Sequence, residues 1–502
     1  MKNVLIIGGG VAGLSAGIYA QKHGYRAVIC EKHEITGGNL TGWQRGGYHI
    51  DNCLHWLTGT NPNTDLYKTW VDLGVLGDVG IYQGKSLYTY EKNGQRLSLS
   101  NDIVKLTNDM LSISPEDRDE ILSFIKAVKY VQGVTGIAGK THDTKYSVFE
   151  KIRYAPALSK YLLKSVGLVS KTFKNEVIRG FLNCLITEDF SALALIYVIS
   201  TFTGGDGGLP IGGSLQAAQR MTNRFSDLGG RVLKGKEVVK INVIEGKARS
   251  AILKSGEEIV ADAFIITADP KTVFGKIIDA PMPKAFERMY KNKKYKRFSC
   301  FQCAFSCDTE SMPFEGDLIF DLDEKCRRLL LSKYLILREF SHEKSFAPEG
   351  KNIMQAMIVC DEQTAKSFIE LKNNKIAYLS KKQFMANVIL QATVERLPTL
   401  RDRLQIIDTW TPATYKRYVL SDIGSFMGFT LPAGGFLKII SNKIDGIDNV
   451  LLATQWQSAP GGLPTAATLG KLAVETLDKK NARPLALKKS LQRKRLSAQI
   501  ER

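Results

Sequence analysis

Hydrophobic spacing at the start of the chain changes from strand-like to helix-like and back again. A short apolar run typical of a buried strand, KNVLII, precedes a helical pattern with apolar residues along one side, VAGLSAGIYAQKH. Gly24 ends that helix, and a second strand is predicted for RAVICE. Strand, helix and strand in this order predict a βαβ unit.

The spacing changes again in the rest of the chain. From about 66 to 203 it is mostly helical, with Lys and Arg between the apolar residues. A glycine-rich hinge, GGDGGLPIGG, then leads into an amphipathic helix that ends at Gly229 and Gly230. Polar and apolar residues alternate through EVVKINVIEGKARSAILKSGEEIVADAFIIT, which predicts antiparallel hairpins. Helical and strand-like segments are mixed over 281–420.

The turn inside the βαβ unit carries the spacing G-x-G-x-x-G at Gly8, Gly10 and Gly13. Such glycines permit a tight turn, a close approach of the backbone to a pyrophosphate and close packing of helix on strand, while the helix N-terminus attracts the anion. Glu31 follows the second strand, where a carboxylate binds ribose hydroxyls and disfavours the 2′-phosphate of NADP. A structural glycine turn with a solvated Glu31 is the alternative.

The residues after Glu31 separate a flavin from a nicotinamide cofactor. A second glycine pair, Gly37 and Gly38, is followed by a strand that ends at Asp51. A nicotinamide dehydrogenase has no need of this extension, whereas a flavin dinucleotide is longer and its ring system must be enclosed. The segment therefore favours FAD.

Charge narrows the choice of partners. Lys and Arg outnumber Asp and Glu by 69 to 50, which favours an anionic membrane surface or an acidic ligand. We find no nucleic-acid-binding motif, so nucleic acid is not expected as a partner. The run from Val4 is cut by three glycines and is not expected to be a signal peptide. Since SALALIYVIST is far shorter than the roughly 18 apolar residues of a spanning helix, a cytoplasmic or peripheral membrane protein is predicted.

The eight cysteines are scattered, as in proteins of a reducing compartment. One cluster, SCFQCAFSC, suggests a metal site. In a strand, however, Cys303 and Cys307 share one face while Cys300 points to the other. No metal is predicted, because no second cluster of ligands accompanies this one.

Several motifs together resemble a known family. The combination of GGGVAG, Glu31, a second glycine pair, GYHID, LPIGG, ADAFIITADP and APGGLPTAATLG is similar to the phytoene desaturase group of FAD-dependent amine-oxidase-like flavoproteins, which includes carotenoid desaturases, carotenoid isomerase and retinol saturase. The resemblance runs from Val4 to about Leu477 and implies an α/β fold. A Rossmann-like FAD-binding domain would comprise 1–75, 204–280 and 421–480, and an inserted mixed α+β substrate domain 76–203 and 281–420, with a helical membrane or lid region. A basic tail, 481–502, would follow.

The same resemblance implies roles for single residues. The three motif glycines would bind the FAD pyrophosphate, Glu31 the ribose, and the backbone of Val238 the adenine. The flavin pyrimidine ring would lie against the start of the last helix, at Gly461, Gly462, Leu463 and Pro464. Two positions depart from the family: Asn39 follows Gly38 where relatives have an arginine that pairs with the phosphate, and Thr454 replaces a glycine.

Chemistry is expected near Asp51. Within the group, retinol saturase is most similar here, because Asp51, His55 and Trp56 have its spacing. His55 would then donate or remove a proton as hydride moves between flavin N5 and a substrate carbon; a core histidine bonded to the backbone is the alternative. Trp56, Tyr418 and Trp456 are expected to border the substrate cavity.

The predicted function is that of a desaturase, saturase or isomerase acting on carbon–carbon bonds of a long apolar, isoprenoid or polyene-like substrate. Nothing in the pattern specifies the direction of hydride transfer or the electron donor or acceptor. Two alternatives stay open: an amine-oxidase-like FAD oxidase, and a non-catalytic lipid-binding or escort protein on the same fold.

Overall fold

The two strands of the N-terminal βαβ unit pair in parallel, as predicted. In the computed structural model, which describes residues 2–135, 156–309, 312–435 and 439–479, Asn3–Ile7 lies between Arg26–Cys30 and Ala263–Ile266. Four of the five residues of Asn3–Ile7 are buried, which explains why this strand is an unbroken apolar run instead of an alternating one.

The sheet that contains this unit has six strands from distant parts of the chain, and we call it the nucleotide sheet. Its pairs are parallel except that the last strand runs antiparallel to its neighbour. Parallel strands bring their carboxyl ends to one edge, where a nucleotide binds. The strands, in spatial order, are Arg231–Leu233, Arg26–Cys30, Asn3–Ile7, Ala263–Ile266, Ile447–Leu452 and Lys443–Ile444.

A second large sheet, which we call the cavity sheet, has seven strands. Five of its six strand pairs are antiparallel, and the sixth, Asp317–Asp321 with Tyr88–Lys92, is parallel. The strands, in spatial order, are Leu404–Trp410, Ser299–Cys307, Asn352–Cys360, Tyr334–Glu339, Asp317–Asp321, Tyr88–Lys92 and Gln95–Leu99.

The hairpin Tyr88–Lys92 and Gln95–Leu99 interrupts a region, 66–203, whose described residues are mostly helical as predicted. Its two strands are joined by Asn93 and Gly94, both at positive φ. An Asn-Gly turn of this kind matches the twist of two antiparallel strands and is a strong local hairpin signal. The hairpin was not predicted, because helical spacing on both sides of it outweighed this short signal.

Three smaller sheets complete the β-structure. The alternating segment predicted as hairpins is antiparallel over Val238–Ile244, Lys247–Leu253 and Glu258–Val260. The strand predicted to end at Asp51 is observed as Tyr48–Asp51, paired with Gly42–Arg45. The third small sheet consists of Leu57–Thr58, Gly207–Pro210 and Ile81–Tyr82.

Helices cover the sheets, and no helix in the described ranges combines the length and apolarity needed to cross a membrane. The longer helices are Val11–Lys22, Asp65–Asp72, Ile103–Ile113, Arg118–Thr135, Val166–Ser170, Glu176–Leu185, Ala192–Thr203, Gly213–Asp227, Lys284–Lys291, Glu324–Leu330, Glu362–Leu371, Lys375–Arg396, Pro412–Val419 and 463–479. The short ones are Pro115–Asp117, Pro270–Thr272, Val273–Ile277, Lys344–Phe346, Pro398–Leu400 and Gln455–Gln457.

The cysteine cluster lies on the strand Ser299–Cys307 and alternates as predicted. Cys303 and Cys307 pack with Phe301 and Phe305 in one core, whereas Cys300 packs with the core on the other side of the sheet. Burial raises the pKa of the Cys300 thiol to about 12, so this side chain packs as a neutral thiol. Among the described residues no group of His, Cys, Asp and Glu has the arrangement of a metal site.

Candidate functional site

The turn after the first strand can be built only with glycine at two of its motif positions. Gly8 has φ +102°, and a Cβ there would lie 2.4 Å from Thr267 Oγ1. A Cβ on Gly13 would lie 1.9 Å from the carbonyl oxygen of Gly8. Gly10 precedes the helix Val11–Lys22 without any side-chain cap. The N-terminal N–H groups of this helix are therefore available to an anion.

Glu31 lies at the carboxyl end of the neighbouring strand and is 7% exposed. Its Oε2 accepts a hydrogen bond from Gly9 N at 2.7 Å, and its Oε1 accepts one from His33 N at 2.9 Å. The start of the strand Val238–Ile244 approaches the same place, because Lys236 N donates to the Glu31 carbonyl at 2.8 Å. The structure thus brings Glu31 and Val238 to one side of the glycine turn.

The second glycine pair, Gly37 and Gly38, lies against the first glycine turn. Gly37 N donates to the Gly9 carbonyl at 2.8 Å, and Gly37 bridges to Gly10. Asn39, which follows the pair, donates only a long bond of 3.4 Å to the Phe426 carbonyl, and its buried Oδ1 has no partner. A small cavity opens here, and its lining consists of Gly38, Asn39, Thr41, Trp43, Asn52, Trp410, Thr414, Tyr415 and Tyr418.

The start of the helix 463–479 lies next to the first helix. Ser15 Oγ donates to the Ala467 carbonyl at 2.6 Å, which holds the two helices together. Gly462 N donates to Gln455 Oε1 at 2.9 Å. Thr454, the second departure from the family pattern, is buried, and its N–H donates to Gln457 Oε1 at 2.8 Å. The segments around Gly10, Gly38 and Gly462 together form what we call the cradle.

A second small cavity lies beside the first and is bounded by the cavity sheet. Asn52 lines both cavities, and its Nδ2 donates to the Asn39 carbonyl at 3.0 Å. We call this second space the sheet cavity. Its lining consists of Asp51, Asn52, His55, Gln302, Ile336, Arg338, Gln355, Ala356 and Met357.

A model of the family of flavin containing amine oxidoreductases matches residues 11–316, more than half of the chain. The chain belongs to this family. It is thus an FAD-dependent oxidoreductase, and the predictions of FAD and of a Rossmann-like α/β fold are confirmed. The cradle fits this cofactor, because it offers uncapped helix N–H groups, two positions where side chains cannot stand, and an unpartnered Asn39 oxygen.

Individual relatives support the more specific resemblance to the phytoene desaturase group. The flavoprotein is 22% identical over 443 residues to prolycopene isomerase 1 of an Oncidium hybrid cultivar, covering 84% of this chain and 75% of that one. It is 21% identical over 484 residues to all-trans-retinol 13,14-reductase of Danio rerio, covering 85% and 77%. The solved structure of cyclohexylamine oxidase from Brevibacterium oxydans shares the fold, with a TM-score of 0.59, 14% identity and coverage of 96% and 99%.

Asp51 positions the loop that carries His55. Its Oδ1 accepts bonds from Cys53 N at 3.0 Å and from Ser214 Oγ at 2.6 Å, and its Oδ2 accepts one from Ser214 N at 2.6 Å. Leu54 N donates to the same carboxylate at 3.2 Å. Because these donors occupy both oxygens, Asp51 fixes the start of the helix Gly213–Asp227 and the turn before His55, and it is not a free base.

His55 contacts an ion pair on the cavity sheet. Arg338 Nε and Nη2 each donate to the Asp317 carboxylate at 2.6 Å, and Arg338 Nη1 donates to the Leu54 carbonyl at 2.6 Å. The same guanidinium donates to His55 Nδ1, which also lies 3.2 Å from Asp317 Oδ2. The ring of His55 is therefore held by side chains, not by backbone carbonyls as in the alternative interpretation.

The charges around His55 keep it neutral. Burial lowers the pKa of His55, and the Arg338 guanidinium lowers it further, outweighing the attraction of Asp317. Arg338, a donor, and the Asp317 carboxylate, an acceptor, both lie at Nδ1, so Nε2 is the ring nitrogen that these two side chains do not engage. The side chain of His55 is 23% exposed and lines the sheet cavity, which makes this nitrogen available for proton transfer.

The ion pair itself stays ionised. Burial raises the pKa of the Asp317 carboxyl, but the charge of Arg338 and the bond with His55 outweigh burial and bring this pKa below its ordinary value. Burial likewise lowers the pKa of Arg338, and Asp317 more than restores it. Two opposite charges in bidentate contact at a buried position satisfy one another.

The three aromatic residues predicted at the substrate cavity separate in space. Tyr418 lines the cradle cavity and packs on His33 with ring centroids 4.7 Å apart. Trp56 packs against Phe202 at 5.2 Å, and Trp456 packs against Phe429 at 5.0 Å. Trp56 and Trp456 line neither of the two cavities described above, so their placement at the substrate remains a prediction.

Sequence reasoning missed four polar residues: three line the sheet cavity, and the fourth, Asp317, is the ion-pair partner of Arg338. They share one property: each is a polar side chain within an otherwise apolar strand, as in SCFQCAFSC, NIMQAMIVC and YLILRE. A buried polar residue needs a partner or a function, so an isolated polar residue in such a strand is the signal that could have found them. The four are Gln302, Asp317, Arg338 and Gln355.

Proposed function

We propose that this flavoprotein transfers hydride at a carbon–carbon bond of a long apolar, isoprenoid or polyene substrate. The observation that carries the proposal is the adjacency of the two cavities through Asn52, with a neutral His55 at the wall of the second. The names of the relatives, a prolycopene isomerase and an all-trans-retinol reductase, support a polyene as the substrate class.

FAD, when bound, supplies the two-electron chemistry at flavin N5. The chain supplies the proton: His55 Nε2 donates to or accepts from the substrate carbon next to the one that exchanges hydride. Arg338 and Asp317 hold the ring in one orientation through its Nδ1. Cys53 is unsuited to the same task, because burial raises its thiol pKa to about 12.

The sheet cavity does not favour amine oxidation. Of the described residues that line it, none is Phe, Tyr or Trp, so the aromatic cage that attracts an amine is missing from this lining. An escort function without chemistry is likewise disfavoured, because the cradle keeps the features that a bound dinucleotide needs.

Anaerobic mixing tests the proposal. The FAD-loaded protein, oxidised or reduced with dithionite, is mixed with all-trans-retinol or a carotenoid, and the flavin and polyene spectra are recorded. We expect bleaching of the oxidised flavin, re-oxidation of the reduced flavin or a shift of the polyene spectrum. Unchanged spectra with every polyene, together with bleaching by a primary amine, would overturn the proposal.

Replacing His55 separates its role in proton transfer from the binding of FAD. His55→Gln keeps a similar volume and should slow the polyene reaction about 10²- to 10⁴-fold, the usual contribution of a general acid or base, while FAD content stays unchanged. His342→Gln is the matched control, because His342 is also shielded but stacks on Tyr82 with ring centroids 4.3 Å apart and is not part of the sheet-cavity lining. Equal rates in both variants would remove His55 from the chemistry.

We also propose that an anionic membrane surface delivers the apolar substrate. Leu163 is 79% exposed, and Leu162 and Leu168 are exposed beside it, with Lys160 and Lys171 at the surface nearby. Apolar side chains between lysines are typical of a surface that docks on anionic lipid, where each lysine adds about 1 kcal/mol. The earlier residues of this basic segment, 151–155, and the predicted tail, 481–502, lie outside the described residues.

Vesicle sedimentation tests this second proposal. The protein should sediment with vesicles that contain phosphatidylserine and less with vesicles of phosphatidylcholine alone. Leu163→Gln should weaken the sedimentation, whereas Leu331→Gln, a change at another exposed leucine, should leave it unchanged. Equal sedimentation of the two variants would contradict the assignment of this face.

A further inference from the structure

We infer that the sheet cavity binds an uncharged oxygen of the substrate, a hydroxyl or a carbonyl, through the side-chain amide of Gln355. The inference rests on the proposed function and narrows its substrate class, from polyenes in general to oxygenated ones. Hydrocarbon carotenes lack the group that this subsite would recognise.

The register of the cavity sheet places Gln355 at the centre of a polar row. Gln355 pairs with Ala304 on one side and with Arg338 on the other, and Arg338 pairs in turn with Asp317. Residues paired across neighbouring strands point to the same face of a sheet. These side chains therefore share one face with Gln302, two residues along from Ala304, and this face bounds the sheet cavity.

The side-chain amide nitrogen of Gln355 lacks a partner within the described protein. The residue is 4% exposed, and its Nε2 is buried without a hydrogen bond. A buried donor without an acceptor is destabilising, so such a group calls for an explanation. Since Gln355 lines the cavity, an acceptor on a bound ligand would satisfy it.

The neighbours of Gln355 do not accept this hydrogen bond. Ala304 has no polar side-chain atom, and the guanidinium of Arg338 is a donor only. Gln302 shares the face, but its amide nitrogen donates to Tyr415 Oη at 2.6 Å, and its oxygen makes no hydrogen bond with Gln355 Nε2. Gln355 Nε2 is a donor, so the matching ligand atom is an acceptor oxygen.

Formal charge at the cavity favours a neutral oxygen over a carboxylate. Asp317 balances Arg338 in bidentate contact, and Asp51 adds a further negative charge to the lining. A carboxylate here would face net negative charge and lose its hydration without compensation. A hydroxyl or carbonyl accepts the same hydrogen bond at a lower desolvation cost.

Three ligands that differ only at one end test the subsite. The FAD-loaded protein is titrated anaerobically with all-trans-retinol, with the C20 hydrocarbon that lacks its hydroxyl, and with all-trans-retinoic acid, and Kd is read from quenching of tryptophan fluorescence. We expect retinol to bind about tenfold more tightly than the hydrocarbon, the effect of one good hydrogen bond. Retinoic acid should bind no more tightly than the hydrocarbon.

A variant assigns that difference to Gln355. Gln355→Met keeps the length of the side chain and should bring the Kd of retinol to within about twofold of that of the hydrocarbon, with FAD content unchanged. Gln391→Met makes the same change on an exposed helical surface and should behave as wild type. If Gln355→Met fails to fold, the Kd values of retinol and of the hydrocarbon for the wild type still test whether the cavity binds an oxygen.

The outcomes distinguish this inference from the proposed function. Equal Kd values for retinol and the hydrocarbon in the wild type, or tightest binding of retinoic acid, would overturn the oxygen subsite and leave polyene chemistry standing. A tenfold preference that persists in Gln355→Met would overturn the role of this residue. If none of the three ligands binds, both the subsite and the proposed function fail.

Discussion

The cradle and the sheet cavity lie side by side, but mainly backbone atoms form the first and side chains form the second. The cradle works mainly through backbone: Gly8 and Gly13 tolerate no side chain, and the helix after Gly10 has no side-chain cap. The sheet cavity works through side chains that neighbouring strands bring together, such as Arg338 beside Asp317 and Gln355. The cradle requires that no side-chain atoms occupy its turn, whereas the sheet cavity requires that its charged and polar side chains be paired.

This difference determines how each site responds to change. A backbone site fails when an added atom displaces the chain, and its loss should appear in cofactor binding. A buried network of charged and polar side chains fails when one partner is removed, because the remaining charge keeps its desolvation cost. The three predictions below separate these modes.

The largest effect is expected from Arg338→Met. Removing the guanidinium leaves the Asp317 carboxylate buried without its partner, and this should reduce the free energy of unfolding by about 3–5 kcal/mol in urea denaturation. Lys68→Met is the surface control, because Lys68 pairs with Asp65 in solvent and should cost less than about 1 kcal/mol.

A double variant sharpens the same prediction. Arg338→Met combined with Asp317→Leu removes both charges and should be more stable than Arg338→Met alone. If the single variant lost no more stability than Lys68→Met, the network would not depend on pairing in the way argued above.

A smaller effect, confined to the cofactor, is expected from Gly13→Ala. The added methyl group would lie 1.9 Å from the Gly8 carbonyl oxygen, so the turn must move. We expect FAD to be held at least about tenfold more weakly, a change of about 1.4 kcal/mol, measured as the flavin-to-protein absorbance ratio after dialysis. Gly275→Ala introduces the same methyl group where nothing lies within 4 Å. Equal flavin content in the two variants would contradict the close approach.

The smallest effect is a change in how the free energy of unfolding depends on pH. The pKa of His55 is lowered by burial and by Arg338, so the folded protein binds fewer protons there than the unfolded chain. The corresponding stability is fully present above the unfolded pKa of about 6.5 and is lost as pH falls towards the folded value. His55→Gln should therefore flatten the fall in unfolding free energy between pH 7 and pH 5, by at most about 1.4 kcal/mol per pH unit.

Other histidines limit how flat that profile becomes. His33, His49 and His342 also have pKa values lowered chiefly by burial, and their contributions remain in the variant. Urea denaturation at three pH values measures the slope for both proteins. Identical slopes for wild type and His55→Gln would show that His55 is not held neutral by its surroundings.

The cradle could be predicted in detail because its parts are short motifs with fixed spacing. Gly8, Gly10, Gly13 and Glu31 fall within one βαβ unit, and the structure brings them together as that unit requires. The resemblance implied that Val238 and Gly461 to Pro464 contact FAD, and these roles remain a prediction; the structure shows neighbouring residues, Lys236 and Ala467, bonded to Glu31 and Ser15. The proposed domain boundaries remain a prediction.

The sheet cavity was only partly predictable. His55 was singled out because of its spacing from Asp51, but its partners lie more than 260 positions away, at Asp317 and Arg338. Strand register decides such contacts, and the hydrophobic pattern of one strand does not reveal its neighbour. The hairpin at Asn93 and Gly94 was missed for a related reason, since its signal is two residues long within a largely helical pattern.

By itself, the sequence determined the βαβ unit, the cofactor and the family, since close backbone approach requires glycine at particular spacings and leaves a local signature. Tertiary structure alone decided that Gln355 would stand between Ala304 and Arg338, and that Arg338 would hold His55 neutral beside a cavity. The physical reason is that the two sites depend on interactions of different range along the chain. Local geometry shapes the cradle, whereas desolvation and charge pairing arise only where distant strands meet and exclude water.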